Sequence, residues 1–262
     1  MAKVFAIANQ KGGVGKTTTT VNLGASLAAM NKRVLLVDLD PQGNATMGSG
    51  IDKWDVEQSI YEVLVHRAPV REVAKRSEAG AFDVLPANGD LTAAEVELLN
   101  IEQREQCLRL ALHSVDGNYD YIILDCPPSL NMLTLNGLVA ASGIIIPMQC
   151  EYYALEGLSA LLNTVGRVAA SVNPDLRVEG ILRTMYDPRN SLTNDVNKQL
   201  HAHFGEKVYR TVIPRNVRLA EAPSFGEPIM TYDKYSRGAL AYLALGSEVI
   251  KRAEAEPTAT RN

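Results

Sequence analysis

Short apolar stretches recur along the chain and alternate with segments whose apolar residues have helical spacing. Two of the stretches, Val34-Leu35-Leu36-Val37 and Ile144-Ile145-Ile146, are continuous rather than alternating. Continuous apolar strands are typical of parallel sheets that helices bury on both faces. The predicted strands are Lys3–Ala8, Arg33–Asp38, Phe82–Pro86, Tyr121–Asp125, Gly143–Pro147, Glu179–Thr184 and Tyr209–Ile213.

The segments between these strands carry signals for helices. Ser59-x-x-Glu62 and Thr92-x-x-Glu95 both have the sequence of a capping box. Strands that alternate with helices predict an α/β fold with a doubly wound, mostly parallel sheet of about seven to eight strands and helices on both faces. Its ligand site is expected at the carboxyl ends of the strands. Further helices are predicted over residues 16–30, 131–141, 154–171, 193–204 and 238–253.

No linker, repeat or low-complexity tract divides the 262 residues. The pattern therefore predicts a single domain over residues 1–253 and a disordered tail over residues 254–262. A hydrophobic content of 46% is ordinary for a globular protein, and no apolar stretch approaches the ~20 residues that span a bilayer. The first residues lack a signal-peptide pattern, so we expect a cytoplasmic protein. Cys107, Cys126 and Cys150 lack ligand spacing and are predicted to be isolated buried thiols.

A glycine-rich loop lies between the first predicted strand and the first predicted helix. Strand, tight loop and helix are the context of a phosphate-binding P-loop. Lys16 is positioned to reach terminal phosphates, and the Thr17 hydroxyl to ligate Mg²⁺. The usual G-x-x-x-x-G-K-[ST] pattern is broken because Gln10 takes the first glycine position, and Lys11 adds a second lysine. The predicted nucleotide-binding residues are Lys11, Gly12, Gly13, Val14, Gly15, Lys16, Thr17 and Thr18.

Acidic residues end two of the predicted strands where a nucleotide site needs them. Asp125 fits the position that holds Mg²⁺, often through a water. If its strand continues, Asp38 shares a face with Asp40, and either could reach the γ-phosphate region. Asp40 is the candidate that orients the attacking water, with Lys11, Lys16 and Mg²⁺ opposing the developing negative charge. These acids together predict a hydrolytic site.

The net charge of −4 argues weakly against a dedicated nucleic-acid binder, but the charge is unevenly distributed. Residues 177–218 contain eight Lys/Arg and four Asp/Glu, a local balance of +4. A local basic face on an acidic protein remains compatible with DNA binding. A scattered, solvated set of charges is an equally good interpretation of this segment.

These motifs together closely resemble the ParA/Soj family, which are bacterial chromosome-partitioning ATPases with the deviant phosphate loop K-G-G-x-G-K-[ST]. The resemblance runs nearly end to end. The loop alone would indicate only the wider superfamily, and two later segments, residues 149–158 and 212–224, narrow the resemblance to the partitioning branch. The quoted blocks, besides the loop, are Val37-Asp38-Leu39-Asp40-Pro41-Gln42-Gly43-Asn44, Asp125-Cys126-Pro127-Pro128-Ser129, Gln149-Cys150-Glu151-Tyr152-Tyr153-Ala154-Leu155-Glu156-Gly157-Leu158 and Val212-Ile213-Pro214-Arg215-Asn216-Val217-Arg218-Leu219-Ala220-Glu221-Ala222-Pro223-Ser224.

The resemblance implies an ATP- and Mg²⁺-dependent ATPase that is slow and stimulated by a partner. It also implies a sandwich dimer in which Lys11 of each subunit reaches the other subunit's phosphates. The residues that match the family's site are Lys16 and Thr17 for phosphate and Mg²⁺, Asp40 for hydrolysis, Asp125 for the Walker B position, and Pro214 and Asn216 beside the adenine.

The same resemblance implies partners and a location. The ATP-bound dimer is expected to bind double-stranded DNA without sequence preference, and a ParB-type centromere-binding protein to stimulate hydrolysis and release. Arg189 and Arg218 fall where the family touches the DNA backbone. The expected location is cytoplasmic and associated with the nucleoid.

Three alternatives share the deviant loop. A MinD-like membrane-associated cell-division ATPase would end in a basic amphipathic helix, whereas the predicted last helix here is expected to pack in the core and is followed by Glu254 and Glu256. An iron–sulfur ATPase would need cysteines that bridge a dimer. A biosynthetic ligase would need a second substrate pocket, for which no convergent polar motif is visible. The apolar residues of that last helix are Leu240, Leu243, Leu245, Val249 and Ile250.

Overall fold

The computed structural model describes residues 1–255 of the chain. Their strands form one eight-stranded sheet, and every neighbouring pair in it is parallel except the pair at one edge. The strands are β1 Lys3–Ile7, β2 Val34–Asp38, β3 Lys75–Ser77, β4 Phe82–Leu85, β5 Tyr121–Asp125, β6 Gly143–Gln149, β7 Arg177–Tyr186 and β8 Val208–Pro214. Their order across the sheet is β3-β4-β2-β5-β1-β6-β7-β8.

All seven predicted strands are confirmed, and the structure adds an eighth, β3. Its sequence, Lys75-Arg76-Ser77, has no apolar residue and pairs antiparallel with β4 at the edge of the sheet. A short, charged edge strand resists pairing with other chains, but for the same reason it has no hydrophobic pattern to identify it. β7 extends beyond its predicted bounds at both ends.

Helices cover both faces of the sheet, as the continuous apolar strands predict. In β2, Leu35 and Val37 face one core, while Val34 and Leu36 face the other. The helices are α1 Lys16–Ala29, α2 Asn44–Gly48, α3 Ile60–Val65, α4 Val70–Val73, α5 Leu91–Glu97, α6 Cys107–His113, α7 Met132–Ala140, α8 Ala154–Ser171, α9 Ser191–Phe204, α10 Val217–Glu221, α11 Ile229–Tyr232 and α12 Arg237–Ala255.

One of the two predicted capping boxes is confirmed and the other is wrong. Ser59 caps α3: its hydroxyl oxygen accepts from the Tyr61 N–H at 3.1 Å, and Glu62 accepts from the Ser59 N–H at 2.7 Å. Thr92 instead lies inside α5, because the backbone is already helical at Asp90. Glu95 turns away to accept from the Asn131 side-chain amide at 2.6 Å.

The last helix, α12, packs against α1 and β8. Leu245 and Val249 are buried as expected, whereas Leu240 is exposed. The predicted tail overlaps α12, which ends at Ala255, and the rest of that tail, residues 256–262, lies outside the described residues. Among residues 1–255, no helix combines the length and the apolar character needed to cross a bilayer.

Because Ser59 caps a helix and Thr92 does not, two similar substitutions are expected to change the free energy of unfolding by different amounts. Ser59→Ala removes a fully buried cap and should lower the free energy of unfolding by about 1 kcal/mol. Thr92→Ala removes an exposed side chain inside a helix and should change it by less than about 0.5 kcal/mol. Urea denaturation of both variants tests this, and equal losses would contradict the assignment.

Candidate active site

The glycine-rich loop leaves the carboxyl end of β1, between β5 and β6, and ends at the N-terminus of α1. Gly13 and Gly15 have φ angles of 72° and 87°, in the left-handed region that favours glycine. This conformation lets successive backbone N–H groups surround an anion at the positive end of the helix dipole. Asn9 anchors the start of the loop by accepting from the Lys11 N–H at 3.0 Å and donating to the Pro147 carbonyl at 2.8 Å.

A second anchor for the loop comes from β7. The hydroxyl of Thr184, which is buried, donates to the Val14 carbonyl at 2.8 Å. The Val14 side chain is itself buried, so this predicted residue contributes its backbone to the loop. No motif in the sequence predicts a role for Thr184. Its position at the carboxyl end of a predicted strand is the one signal for it.

A cleft of about 620 Å³ lies above the loop, at the carboxyl edge of the sheet. It also contains residues without a predicted role, among them Asn44, Thr184, Met185 and Arg215. Met185 has a φ of 48°, an uncommon conformation for a residue with a side chain and one that often marks functional sites. The predicted residues that line the cleft are Gly12, Gly13, Gly15, Lys16, Thr17, Thr18, Asp40, Pro214 and Asn216.

Asp125 lies beneath the loop and is held by two hydroxyls of α1. Thr17 donates to one carboxylate oxygen and Thr20 to the other, each at 2.8 Å. The pKa of Asp125 is raised by burial and, secondarily, by the neighbouring charge of Asp38. A hydroxyl and a carboxylate at the phosphate end of the cleft are hard oxygen ligands, so Thr17 and Asp125 fit a Mg²⁺ ion that takes its remaining ligands from phosphate and water.

Lys16 is the lysine that faces the cleft. Its side chain is buried and its Nζ donates to the Lys11 carbonyl at 3.2 Å, along the inside of the loop. Burial lowers the pKa of Lys16, while Asp125 and Asp40 oppose this shift. The ammonium group therefore lies close to both acids, in the position from which it can neutralise bound phosphate.

The two acids at the carboxyl end of β2, Asp38 and Asp40, have different environments. β2 ends at Asp38, so the strand does not continue to Asp40, and the condition for Asp38 and Asp40 to share a face is not met. The Asp38 carboxylate is buried, and it accepts from the N–H and the hydroxyl of Thr46, both at 2.8 Å. It therefore stabilises the turn and does not reach the cleft. Asp40 is partly exposed and lines the cleft.

Lys11 points away from the cleft. Its Nζ forms an ion pair with the Glu151 carboxylate, and the two side chains are 45% and 50% exposed. Lys11 therefore does not line the cleft of its own subunit, whereas Lys16 does.

Both candidate DNA-binding arginines are exposed and paired with acids. Arg189 is 88% exposed and donates to both oxygens of Asp187, at 2.9 and 2.8 Å, which lowers the pKa of Asp187 to about 2. Arg218 donates to Glu221 at 2.9 Å. Arg183 and Glu179, from the same segment, are both buried, so the balance of +4 also holds for the residues of the segment that are not buried.

The three cysteines are buried free thiols, as predicted. Over residues 1–255 there is also no group of three or more His, Cys, Asp or Glu side chains able to hold a metal ion. The iron–sulfur alternative therefore has no ligand set within one described subunit.

Several known proteins are similar to this chain. A family model described as an AAA domain matches residues 2–178. The sporulation initiation inhibitor protein Soj of Bacillus subtilis is 58% identical over 249 residues, which cover 95% of this chain and 98% of that protein. The chromosome partitioning protein ParA of Caulobacter vibrioides is 52% identical over 252 residues, which cover 95% of this chain and 94% of that protein.

A crystal structure of a cobyrinic acid a,c-diamide synthase from Mycobacterium smegmatis, with bound ADP and magnesium, has a TM-score of 0.85 to this structure. The two sequences are 39% identical, and the match covers 97% of this chain and 96% of the other. That identity is lower than the identities to Soj and ParA. The chain therefore belongs to the ParA/Soj family of chromosome-partitioning ATPases, with ATP and Mg²⁺ as its cofactors.

Proposed function

We propose that ATP binding switches this protein from a monomer to a DNA-binding dimer in chromosome or plasmid segregation. The observation that carries this proposal is the outward position of Lys11, which leaves one of the two loop lysines outside the subunit's own cleft. An exposed cation outside the subunit's own cleft is suited to phosphates presented by a second subunit. The ion pair with Glu151 is exposed and contributes at most about 1 kcal/mol, so a nucleotide phosphate can replace it.

Within one subunit, we assign the nucleotide contacts from the lining of the cleft. The loop N–H groups and Lys16 hold the phosphates, Thr17 and Asp125 hold Mg²⁺, and Asp40 orients the attacking water. Pro214 and Asn216 border the adenine. Bound Mg²⁺ would supply positive charge against the phosphates, and Lys16 would supply more.

The adenine side of the cleft also leads directly to a candidate DNA contact. Asn216 caps α10 by accepting from the Arg218 N–H at 2.8 Å, so both residues lie in the first turn of one short helix. A nucleotide that orders Asn216 would also fix Arg218. We infer that Arg189 and Arg218 bind DNA phosphates, which confers affinity without base preference.

The proposed partners follow from this cycle. The dimer presents each arginine twice, and a ParB-type centromere-binding protein stimulates hydrolysis and so releases DNA. The protein would be cytoplasmic and associated with the nucleoid. A MinD-like membrane role has less support, because α12 packs buried apolar residues, among them Leu245 and Val249, against α1 and β8.

Dimerisation should depend on ATP and on Lys11. We expect wild type to dimerise with ATP and not with ADP, and Asp40→Ala to remain a dimer with ATP because hydrolysis is blocked. Lys11→Ala should stay monomeric, whereas Lys75→Ala, which removes an exposed lysine at the β3 edge, should behave as wild type. Size-exclusion chromatography with light scattering measures this. A monomer in every state would refute the proposal.

DNA binding should depend on electrostatic contacts between arginine side chains and DNA phosphates. Arg189→Glu and Arg218→Glu should each lower the affinity of the ATP-bound protein for plasmid DNA by about tenfold or more. Each dimer loses two phosphate contacts, so the slope of log affinity against log salt should fall by about 1.8. Arg109→Glu, an exposed control in α6, should cost much less. Unchanged affinity and salt dependence in both variants would rule out these contacts.

Membrane binding should be absent. With ATP present, sedimentation with anionic liposomes should leave the protein in the supernatant, while plasmid DNA under the same conditions should bind it. ATP-dependent recovery in the liposome pellet would instead favour the MinD-like alternative.

A further inference from the structure

Arg183, in β7 beside the edge strand β8, has no role in the site described above. Its side chain is 5% exposed, and none of the carboxylates in residues 1–255 forms an ion pair with it. Its Nε also lacks a hydrogen-bond partner among those residues. A buried cation without a carboxylate is costly, and an apolar side chain would fill the same space at a lower cost.

The guanidinium group of Arg183 joins three elements. One nitrogen donates to the Asn197 side chain in α9 at 2.6 Å, and another donates to the Tyr209 and Arg210 carbonyls in β8. These carbonyls lie where the pairing of β7 with β8 shifts register, between the pairs Ile181–Val208 and Arg183–Val212. The side chain therefore bridges an irregular part of the strand ladder and fixes α9 against it.

A continuous set of contacts runs from Arg183 to the loop that carries Arg189. The guanidinium lies over the Tyr186 ring, 5.7 Å from its centre. The Tyr186 hydroxyl donates to the Asn194 side chain at 3.4 Å, and the Asn194 amide donates to the Pro188 carbonyl at 2.8 Å. Pro188 immediately precedes Arg189 in this loop, residues 187–190, which we call the Arg189 loop.

The other side of Arg183 leads toward the nucleotide cleft. β8 continues from the carbonyls that Arg183 holds to Pro214 at the edge of the cleft. In β7, the neighbouring Thr184 holds the phosphate loop through the Val14 carbonyl. Arg183 thus lies between the element that borders the nucleotide and the loop that carries an exposed cation.

We propose that Arg183 is a positioning residue that fixes the Arg189 loop relative to β8, so that Arg189 meets DNA phosphates in the ATP-bound protein. This inference rests on the proposed DNA binding. Arg183 itself contacts no DNA, since it is buried. Its planar group makes divergent hydrogen bonds that the single ammonium of a lysine cannot reproduce.

A double-mutant cycle tests this proposal on the full chain with a non-hydrolysable ATP analogue. Arg183→Leu should lower affinity for a fluorescent DNA duplex about as much as Arg189→Ala, about tenfold, and should lower the salt slope similarly. The double variant should be no more than about twofold weaker than either single variant, because both remove the same contact. Arg183→Lys should also bind DNA more weakly, because lysine keeps the positive charge but cannot make the hydrogen bonds that position the Arg189 loop.

Controls separate this role from general stability. Affinity for the nucleotide analogue should stay within about twofold of wild type, and Arg109→Leu should leave DNA binding unchanged. If Arg183→Leu does not fold, Asn194→Ala interrupts the same set of contacts at the protein surface, and it should lower DNA affinity about threefold and be non-additive with Arg189→Ala. Additive losses, or unchanged DNA binding in a folded variant, would overturn the proposal. If wild type binds no DNA, the proposed function itself fails.

Discussion

The pairing of β1, β2 and β5 is the constraint on which the site depends. Their parallel register places Ile7, Asp38 and Asp125 in one row at the carboxyl edge of the sheet. Two buried acids thus become neighbours, and burial raises the pKa of each. The hydroxyls that surround them, with a lysine of the loop nearby, offset the cost of ionising such a pair. A bound Mg²⁺ would add positive charge beside Asp125 and would favour its ionised form further.

The cations outside the cleft differ from the buried Lys16 in exposure and in their partners. Lys11, Arg189 and Arg218 are all exposed, and each is paired with an acid of the same subunit. Exposed pairs of this kind are weak and easily exchanged, so they leave the cations available to a stronger anion. Under the proposed function, each acid lowers the affinity of the free subunit for phosphate groups. A dimer that presents every cation twice can overcome this competition.

The features that could be predicted from the sequence are those that depend on residues close together in the chain. The glycine loop, its lysines and the strand-terminal acids follow from spacing alone, and the parallel sheet follows from continuous apolar runs. The separate roles of Asp38 and Asp40 depend on where the chain turns after β2, which no periodicity shows. The direction of Lys11 depends on Glu151, which is 140 residues away. β3 was missed because its polar residues carry no strand pattern.

The end of β7 shows how one strand can serve two sites. Successive side chains of a strand point to opposite faces of the sheet, so Thr184 and Arg183 meet different neighbours. Thr184 holds the phosphate loop, while Arg183 holds α9 and β8. Met185, the next residue, lies in the nucleotide cleft with a strained backbone, and the Arg189 loop begins just beyond it. A rearrangement of this strand end would therefore act on both the phosphate loop and the Arg189 loop.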